Sequence, residues 1–178
     1  MSEDTPIVTF RATAEAAASP EAVYGVLADP RAALEWGGRE APKKSFRLLT
    51  MDAPVGPLLV GNEFSSTGAN ITGTFHDRST VVEAEPGARF GFDTESTLVR
   101  KYAKTWHVRF AHRYVIASTP DGTEISYTCE VRPQNYVPWW LRPGMRSMTR
   151  RQVPGMMQKH LQNMANMAMT GAARGSGR

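Results

Sequence analysis

The sequence predicts one α+β domain, in which an antiparallel sheet of about six or seven strands is covered by a long C-terminal helix. Three observations support this prediction. Between residues 44 and 132, apolar and polar residues largely alternate, which is the period of a strand with one buried face. The links between these runs are too short for the crossovers of a parallel sheet. From about 143 to 169, apolar residues instead recur three and four positions apart, as on one face of a helix.

The N-terminal part predicts one strand followed by two short helices. In residues 7–18 the apolar side chains fall on one alternating face, which indicates an opening strand. Ser19 is a favourable N-cap and Pro20 suits the first helical position, so we expect a helix from there to the Asp-Pro pair at 29–30. Residues 30–36 indicate a second short helix, which ends at two glycines.

The central part predicts six strands that are separated by turns. Pro86-Gly87 and the Pro-Asp-Gly sequence at 120–122 favour tight turns. In the strand predicted near 71–84, the alternation does not distinguish the inward from the outward face. His76 and Arg78 therefore face either the interior or solvent. The strands are predicted near 44–51, 58–66, 71–84, 88–95, 104–117 and 123–132.

The long C-terminal helix is predicted from about 143 to 169, with an interruption at Pro154-Gly155. A proline removes one backbone hydrogen bond and permits a kink, so the two halves can face different surfaces. Residues 170–178 are expected to form a disordered tail, which leaves about 6–169 as the ordered part of a single domain, 1–178. The apolar stripe after the proline consists of Met156, Met157, His160, Leu161, Met164, Met167 and Ala168.

Composition and charge indicate which classes of protein and which partners fit the chain. A hydrophobic content of 41% allows a buried core, and one cysteine, Cys129, cannot form an intramolecular disulfide. No secretory leader and no apolar run of membrane-spanning length is apparent, so we expect a cytoplasmic protein. Residues 131–178 carry eight Lys or Arg and no Asp or Glu. This basic segment faces either solvent or something anionic: lipid headgroups, a nucleic acid or an acidic small molecule.

The sequence lacks the motifs typical of metal sites, phosphate-binding loops, nucleophilic catalysis and nucleic-acid binding. The four histidines and the cysteine show no metal-ligand spacing, and GANITG (68–73) lacks both the lysine and the following helix of a phosphate-binding loop. No nucleophile elbow and no recognised nucleic-acid motif is present. We therefore expect no cofactor, no metal and no nucleic-acid partner, in a monomer or a homodimer.

Four segments, in their order along the chain, resemble the SRPBCC superfamily, and its polyketide cyclase/dehydrase branch in particular. They are SPEAVYGVLADPRAALEW, VVEAEPGARFGF, the hairpin YVIASTPDGTEISYT and the C-terminal helix. The resemblance, which extends to START and birch-pollen-allergen-like proteins, implies a helix-grip fold: a curved antiparallel sheet around the last helix, with an apolar cavity between them. Because members of this superfamily include lipid carriers, hormone receptors and cyclases, the resemblance does not fix one function.

Strand phase suggests which residues line that cavity. Along 104–117 the even positions are the apolar set, and 123–132 presents a second such face. Each of these residues is either a cavity wall or part of a packed core. The expected cavity residues are Trp36, Phe75, Phe92, Trp106, Val108, Phe110, His112, Tyr114, Tyr127, Met145, Met148 and Met156.

Two functions from different classes fit this arrangement. The first is a binding or carrier protein for an apolar small molecule or lipid. The second is an enzyme of the polyketide cyclase, aromatase or dehydrase type, with His112 as general base and Tyr114, Tyr127 and Arg78 as further proton-handling groups. Alternatively, His112 is a buried histidine that hydrogen-bonds the backbone.

The segment VPWWLRPGMRSMTRR (137–151) borders the expected pocket entrance and adds a possible membrane contact. Tryptophans favour the bilayer interface and arginines favour anionic headgroups. The pair Trp139 and Trp140 therefore lies either at the rim of the pocket or, with Arg142 and Arg146, on an anionic membrane.

Overall fold

The computed structural model describes residues 6–38, 46–70, 73–100, 105–134 and 142–175, and it describes all of their side chains except those of 133, 142–154 and 172–175. Over these ranges seven strands form one curved antiparallel sheet with the order β1-β7-β6-β5-β4-β3-β2. The predicted α+β helix-grip fold is confirmed. The elements are β1 (Val8–Ala16), α1 (Pro20–Ala28), α2 (Pro30–Trp36), β2 (Arg47–Asp52), β3 (Glu63–Asn70), β4 (Gly73–Glu85), β5 (Arg89–Arg100), β6 (Trp106–Thr119), β7 (Gly122–Pro133) and α3 (Arg142–Gly175).

Local sequence sets the ends of the N-terminal elements. Strand β1 alternates strictly between buried and exposed residues and pairs with β7, from Val8 opposite Val131 to Ala16 opposite Thr123. The Ser19 hydroxyl accepts a hydrogen bond from the Ala22 N–H at the start of α1. The Asp29 carboxylate accepts one from the Arg31 N–H at 2.8 Å and starts α2. Helix α1 contacts β5, β6 and β7, and α2 contacts β2.

Helix α3 packs along β1 and α1 and covers the inner face of the sheet. Its buried side is formed by His160, Leu161, Met164, Ala165 and Ala168, as the three-and-four spacing predicts. The core lies between this side and the sheet.

The bounds of α3 differ from the prediction. The helix continues through residue 154, where an interruption was expected, and it reaches Gly175 rather than ending near 169. A proline inside a helix removes one hydrogen bond, but methionine, arginine and glutamine on both sides are strong helix formers that offset this loss. The expected division of the chain into an ordered part, about 6–169, and a disordered tail, 170–178, stays a prediction.

The strand predicted at 58–66 begins only at Glu63. Residues 58–62 form a turn instead: the Leu58 N–H donates to the Ala28 carbonyl at 2.9 Å, and the Asn62 side-chain oxygen accepts from the Leu59 N–H at 2.9 Å. Only the first residue of this apolar run is buried. The run therefore anchors the β2–β3 link beneath α1 rather than extending the sheet.

Candidate functional site

A cavity of about 140 Å³ lies between the inner face of the sheet, helix α2 and helix α3. Strands β3 to β7 supply most of its wall, α2 supplies Ala33 and Trp36, and α3 supplies Met157, Leu161 and Met164. Most of these side chains are aromatic or aliphatic. A few polar groups in an apolar wall are typical of a site that orients a small ligand.

Cross-strand register produces the aromatic part of the wall. Phe92 of β5 lies opposite His112 of β6, and Phe90 lies opposite Tyr114, which in turn lies opposite Tyr127 of β7. The rings of Phe92 and His112 stack with centroids 4.5 Å apart, and those of Tyr114 and Tyr127 lie 4.7 Å apart. Because all five side chains point to the inner face, the three strands present one continuous aromatic surface.

His112 and Tyr127 are joined by a hydrogen bond between Nδ1 and the phenolic oxygen, 2.8 Å apart. Burial, with a smaller contribution from the charge of Arg113, lowers the pKa of His112 to about 4, so the ring is neutral near pH 7. Burial also raises the pKa of Tyr114 and of Tyr127, which keeps both phenols protonated. At this position the cavity therefore offers neutral hydrogen-bonding groups rather than charges.

Asp77 of β4 also lines the cavity, although it is not among the residues predicted from the sequence. It lies opposite Ser66 of β3 and Ser96 of β5. Burial raises the pKa of its carboxyl to about 6, although a hydrogen bond with the Ser96 side chain lowers it in part. Among the described residues, its Oδ1 atom is buried without a hydrogen-bond partner.

Three other polar features belong to the wall. The hydroxyls of Ser79 and Thr94 hydrogen-bond each other at 2.8 Å, so they are satisfied within the protein. The indole nitrogen of Trp36 is buried and, within the described part of the chain, has no acceptor. His160 of α3 is buried, and this burial lowers its pKa. Among the described residues, the wall thus holds one fully buried acceptor atom and one fully buried donor atom without a partner.

Residues 8–168 match the family described as polyketide cyclase / dehydrase and lipid transport. The chain belongs to this family. No curated protein sequence matches it significantly. Its fold is similar to that of protein CV1439 from Chromobacterium violaceum, with 18% identity, a TM-score of 0.62, and coverage of 90% of this chain and 96% of that one.

Two further solved structures share the fold of this cyclase/dehydrase family member. A Rhizobium leguminosarum protein has 14% identity and a TM-score of 0.66 over 92% of this chain and 95% of that one. Ara h 8.0201 has 9% identity and a TM-score of 0.59 over 92% and 98%. The chain is thus a member of the SRPBCC superfamily, as the sequence segments indicate.

Five of the twelve predicted cavity residues border the cavity of this family member: Trp36, Phe92, His112, Tyr114 and Tyr127. They come from one helix and three strands. Strand phase brings the four sheet residues together, whereas Trp36 reaches the cavity because α2 ends there.

Five others do not border the cavity. Phe75 is buried but stacks on Phe46, with ring centroids 4.9 Å apart. Val108 and Phe110 face inward beyond the end of the cavity, and Trp106 lies still nearer the start of β6, with the Arg100 guanidinium 5.3 Å from its ring centroid. On α3 the described lining methionines are Met157 and Met164 rather than Met156, because adjacent helix positions differ in direction by about 100°.

Arg78 is not a cavity residue. It lies on the outer face of β4, where its guanidinium and the Glu63 carboxylate are 2.8 Å apart, and its side chain is 73% exposed. The inward positions of β4 are those of Phe75, Asp77 and Ser79, so Arg78 and His76 point outward. Of the two orientations considered for this strand, the structure has the one in which His76 and Arg78 face solvent.

The remaining predicted residues cannot be placed against the cavity. Met145, Met148, Arg142 and Arg146 lie on α3 where side chains are not described, and Trp139 and Trp140 lie outside the described residues. Within the described ranges, no group of three His, Cys, Asp or Glu could hold a metal ion.

Proposed function

We propose that this protein binds an apolar small molecule or a lipid group within the cavity between sheet and α3, as a binding or carrier protein. The observation that carries the proposal is the cavity of about 140 Å³ with its aromatic and methionine wall. An apolar cavity of about 150 Å³ is sufficient to hold a benzene-sized molecule. Methionine adapts to varied ligand shapes, which suits a carrier.

Two measurements test this proposal. Native mass spectrometry and solvent extraction of freshly purified protein should detect a bound hydrophobic molecule. Calorimetric titration with naphthalene should show saturable binding that Met157→Trp weakens by about tenfold or more, because the larger side chain occupies the cavity. Asn166→Trp, on the exposed side of the same helix, is the control and should not change the affinity. The absence of both a co-purified molecule and naphthalene binding would contradict the proposal.

A second candidate is an enzyme of the cyclase, aromatase or dehydrase type that uses the same cavity. The hydrogen-bonded His112 and Tyr127 favour it, as does the Asp77 carboxyl, whose pKa of about 6 suits a general base better than the His112 pKa of about 4. The test is ring closure of a linear poly-β-ketone thioester, followed by mass spectrometry. His112→Gln, Tyr114→Phe and Tyr127→Phe should each slow it; a wild-type rate equal to that in buffer contradicts the enzyme.

The cellular setting forms part of the same proposal. We place the protein in the cytoplasm, where its buried Cys129 thiol would stay reduced. In the described chain, no helix has the length and apolar character needed to cross a bilayer. The contact of Trp139, Trp140, Arg142 and Arg146 with an anionic membrane stays a prediction. Flotation with anionic and with neutral vesicles tests it, and absence from both would remove it.

A further inference from the structure

The described part of the cavity wall contains an acidic side chain but no lysine or arginine. Its one carboxyl is that of Asp77. The two histidines of the wall do not replace a cation, because burial lowers the pKa of both His112 and His160. Among the described lining residues, a ligand with an anionic group would therefore meet a carboxylate and no opposite charge.

The surroundings of Asp77 leave it with spare hydrogen-bonding capacity. Its neighbours across β3 and β5 are the hydroxyl residues Ser66 and Ser96, and the histidines and tyrosines of the wall are neutral. Ser96 supplies one hydrogen bond, while Oδ1 has no partner within the described chain. A buried acceptor without a donor is unfavourable, so a donor group brought by a ligand would stabilise it.

Several other polar groups of the wall already have partners. The hydroxyls of Ser79 and Thr94 bond each other, and the Nδ1 atom of His112 is bonded to the Tyr127 hydroxyl. Trp36 contributes a second unsatisfied group, an N–H donor, which would suit a ligand that also carries an acceptor. A hydroxyl-bearing apolar molecule has both a donor and an acceptor, whereas a carboxylate has no donor.

We propose that the cavity selects an apolar ligand that carries a hydrogen-bond donor, a hydroxyl or a protonated amine, which pairs with Asp77, and that it discriminates against carboxylates such as fatty acids. This inference rests on the proposed binding function and specifies its ligand. Asp77 is then the residue that determines specificity in an otherwise apolar site.

The test compares four ligands built on one ring system by calorimetry at pH 7.5. They are naphthalene, 2-naphthol, 2-naphthylmethylamine and 2-naphthoate. In the wild-type protein, 2-naphthol or the amine should bind about tenfold or more tightly than 2-naphthoate, because a charge-assisted hydrogen bond replaces a repulsion. Preference for the naphthol alone identifies a hydroxyl ligand, and preference for the amine alone identifies an amine.

Substitutions at residue 77 test whether Asp77 causes the preference for donor ligands over 2-naphthoate. Asp77→Asn should reduce the ratio of donor-ligand to naphthoate affinity to about threefold or less, since it removes the negative charge. The matched control is Asp121→Asn, the same chemical change in the exposed turn between β6 and β7, which should leave the ratio unchanged. If Asp77→Asn does not fold, Asp77→Ser takes its place and is judged by the same affinity ratio.

The outcomes separate this inference from the proposed function. Naphthalene binding without any preference for the donor ligands, or a preference that Asp77→Asn does not change, overturns the role of Asp77 and leaves the carrier function standing. Binding of none of the four ligands, with nothing co-purified, overturns both.

Discussion

His112 is stacked on one aromatic ring and hydrogen-bonded to another in the cavity wall. The Phe92 ring lies 4.5 Å from it between centroids, and the Tyr127 oxygen lies 2.8 Å from its Nδ1 atom. Protonation would place a charge among apolar groups, which is why burial lowers its pKa to about 4. Acid should therefore destabilise the fold through this residue.

His112→Gln tests that expectation. The pKa of the side chain is lower in the folded protein than its ordinary 6.5, so its stabilising contribution is present above pH 6.5 and is lost as the pH falls toward 4. A shift of this size corresponds to about 3 kcal/mol. We expect the variant to lose less thermal stability than the wild type between pH 7.5 and pH 4.5, by several degrees in Tm. His107→Gln, on the exposed outer face of β6, is the control; equal losses in all three proteins would refute the argument.

Strand phase explains which cavity residues were predictable. His112, Tyr114 and Tyr127 occur in strands where one alternating set is clearly apolar, so their inward direction follows from the sequence. Asp77 lies in a strand whose two faces both carry polar residues, and a carboxyl is rarely placed in a core. Phe75 is among the expected cavity residues, and the same alternating phase two positions further along β4 leads to Asp77.

At the scale of elements, strands β3 and β4 meet at an unusually close contact. Gly68 of β3 lies opposite Phe75 of β4, and a Cβ atom at residue 68 would overlap the Phe75 ring. That ring is 2% exposed and is held by its stack on Phe46, so it has little room to move. The absence of a side chain at Gly68 therefore lets the aromatic pair fill the space beside the cavity.

Gly68→Ala should destabilise the protein by about 1–3 kcal/mol, because the methyl group forces the packed ring to shift. Gly25→Ala in α1 is the matched control, since a Cβ there has no neighbouring atom within 4 Å. It should stabilise the helix by about 0.5–1 kcal/mol. Urea unfolding at constant m-value measures both changes, and equal effects of the two substitutions would contradict the packing argument.

The spacing of the hydrophobic residues predicted which segments are strands and which are helices. It did not predict where some of these elements begin and end. The apolar run at 58–60 resembles a strand in sequence, yet Leu58 is buried beneath α1 and the next two residues are exposed in a turn. This packing depends on Ala28, which is distant along the chain, so no local pattern contains it. Likewise the continuation of α3 through residue 154 depends on flanking helix formers rather than on the proline alone.

For the molecule as a whole, the cavity wall contains two buried titratable groups with opposite effects on stability. Asp77 has a raised pKa, so it destabilises the folded state as the pH rises from about 4 through 6. His112 has a lowered pKa and stabilises the folded state over nearly the same rise. The two contributions offset each other in the wild type, which reduces the pH dependence that a site with only one of them would have.

Asp77→Asn should reveal the offset. Below pH 3.8 the wild-type carboxyl is protonated in both folded and unfolded states, whereas above pH 6 the folded protein holds a buried carboxylate at a disadvantage of about 3 kcal/mol. The Tm of the variant relative to the wild type should therefore increase between pH 4.5 and pH 7.5, while that of His112→Gln should decrease. The other carboxylates are common to all the proteins and cancel in these differences. Calorimetric scans of both variants measure the effect, with Asp121→Asn as control. If the Tm of Asp77→Asn relative to the wild type stays constant across this range, burial does not hold the wild-type Asp77 carboxyl protonated.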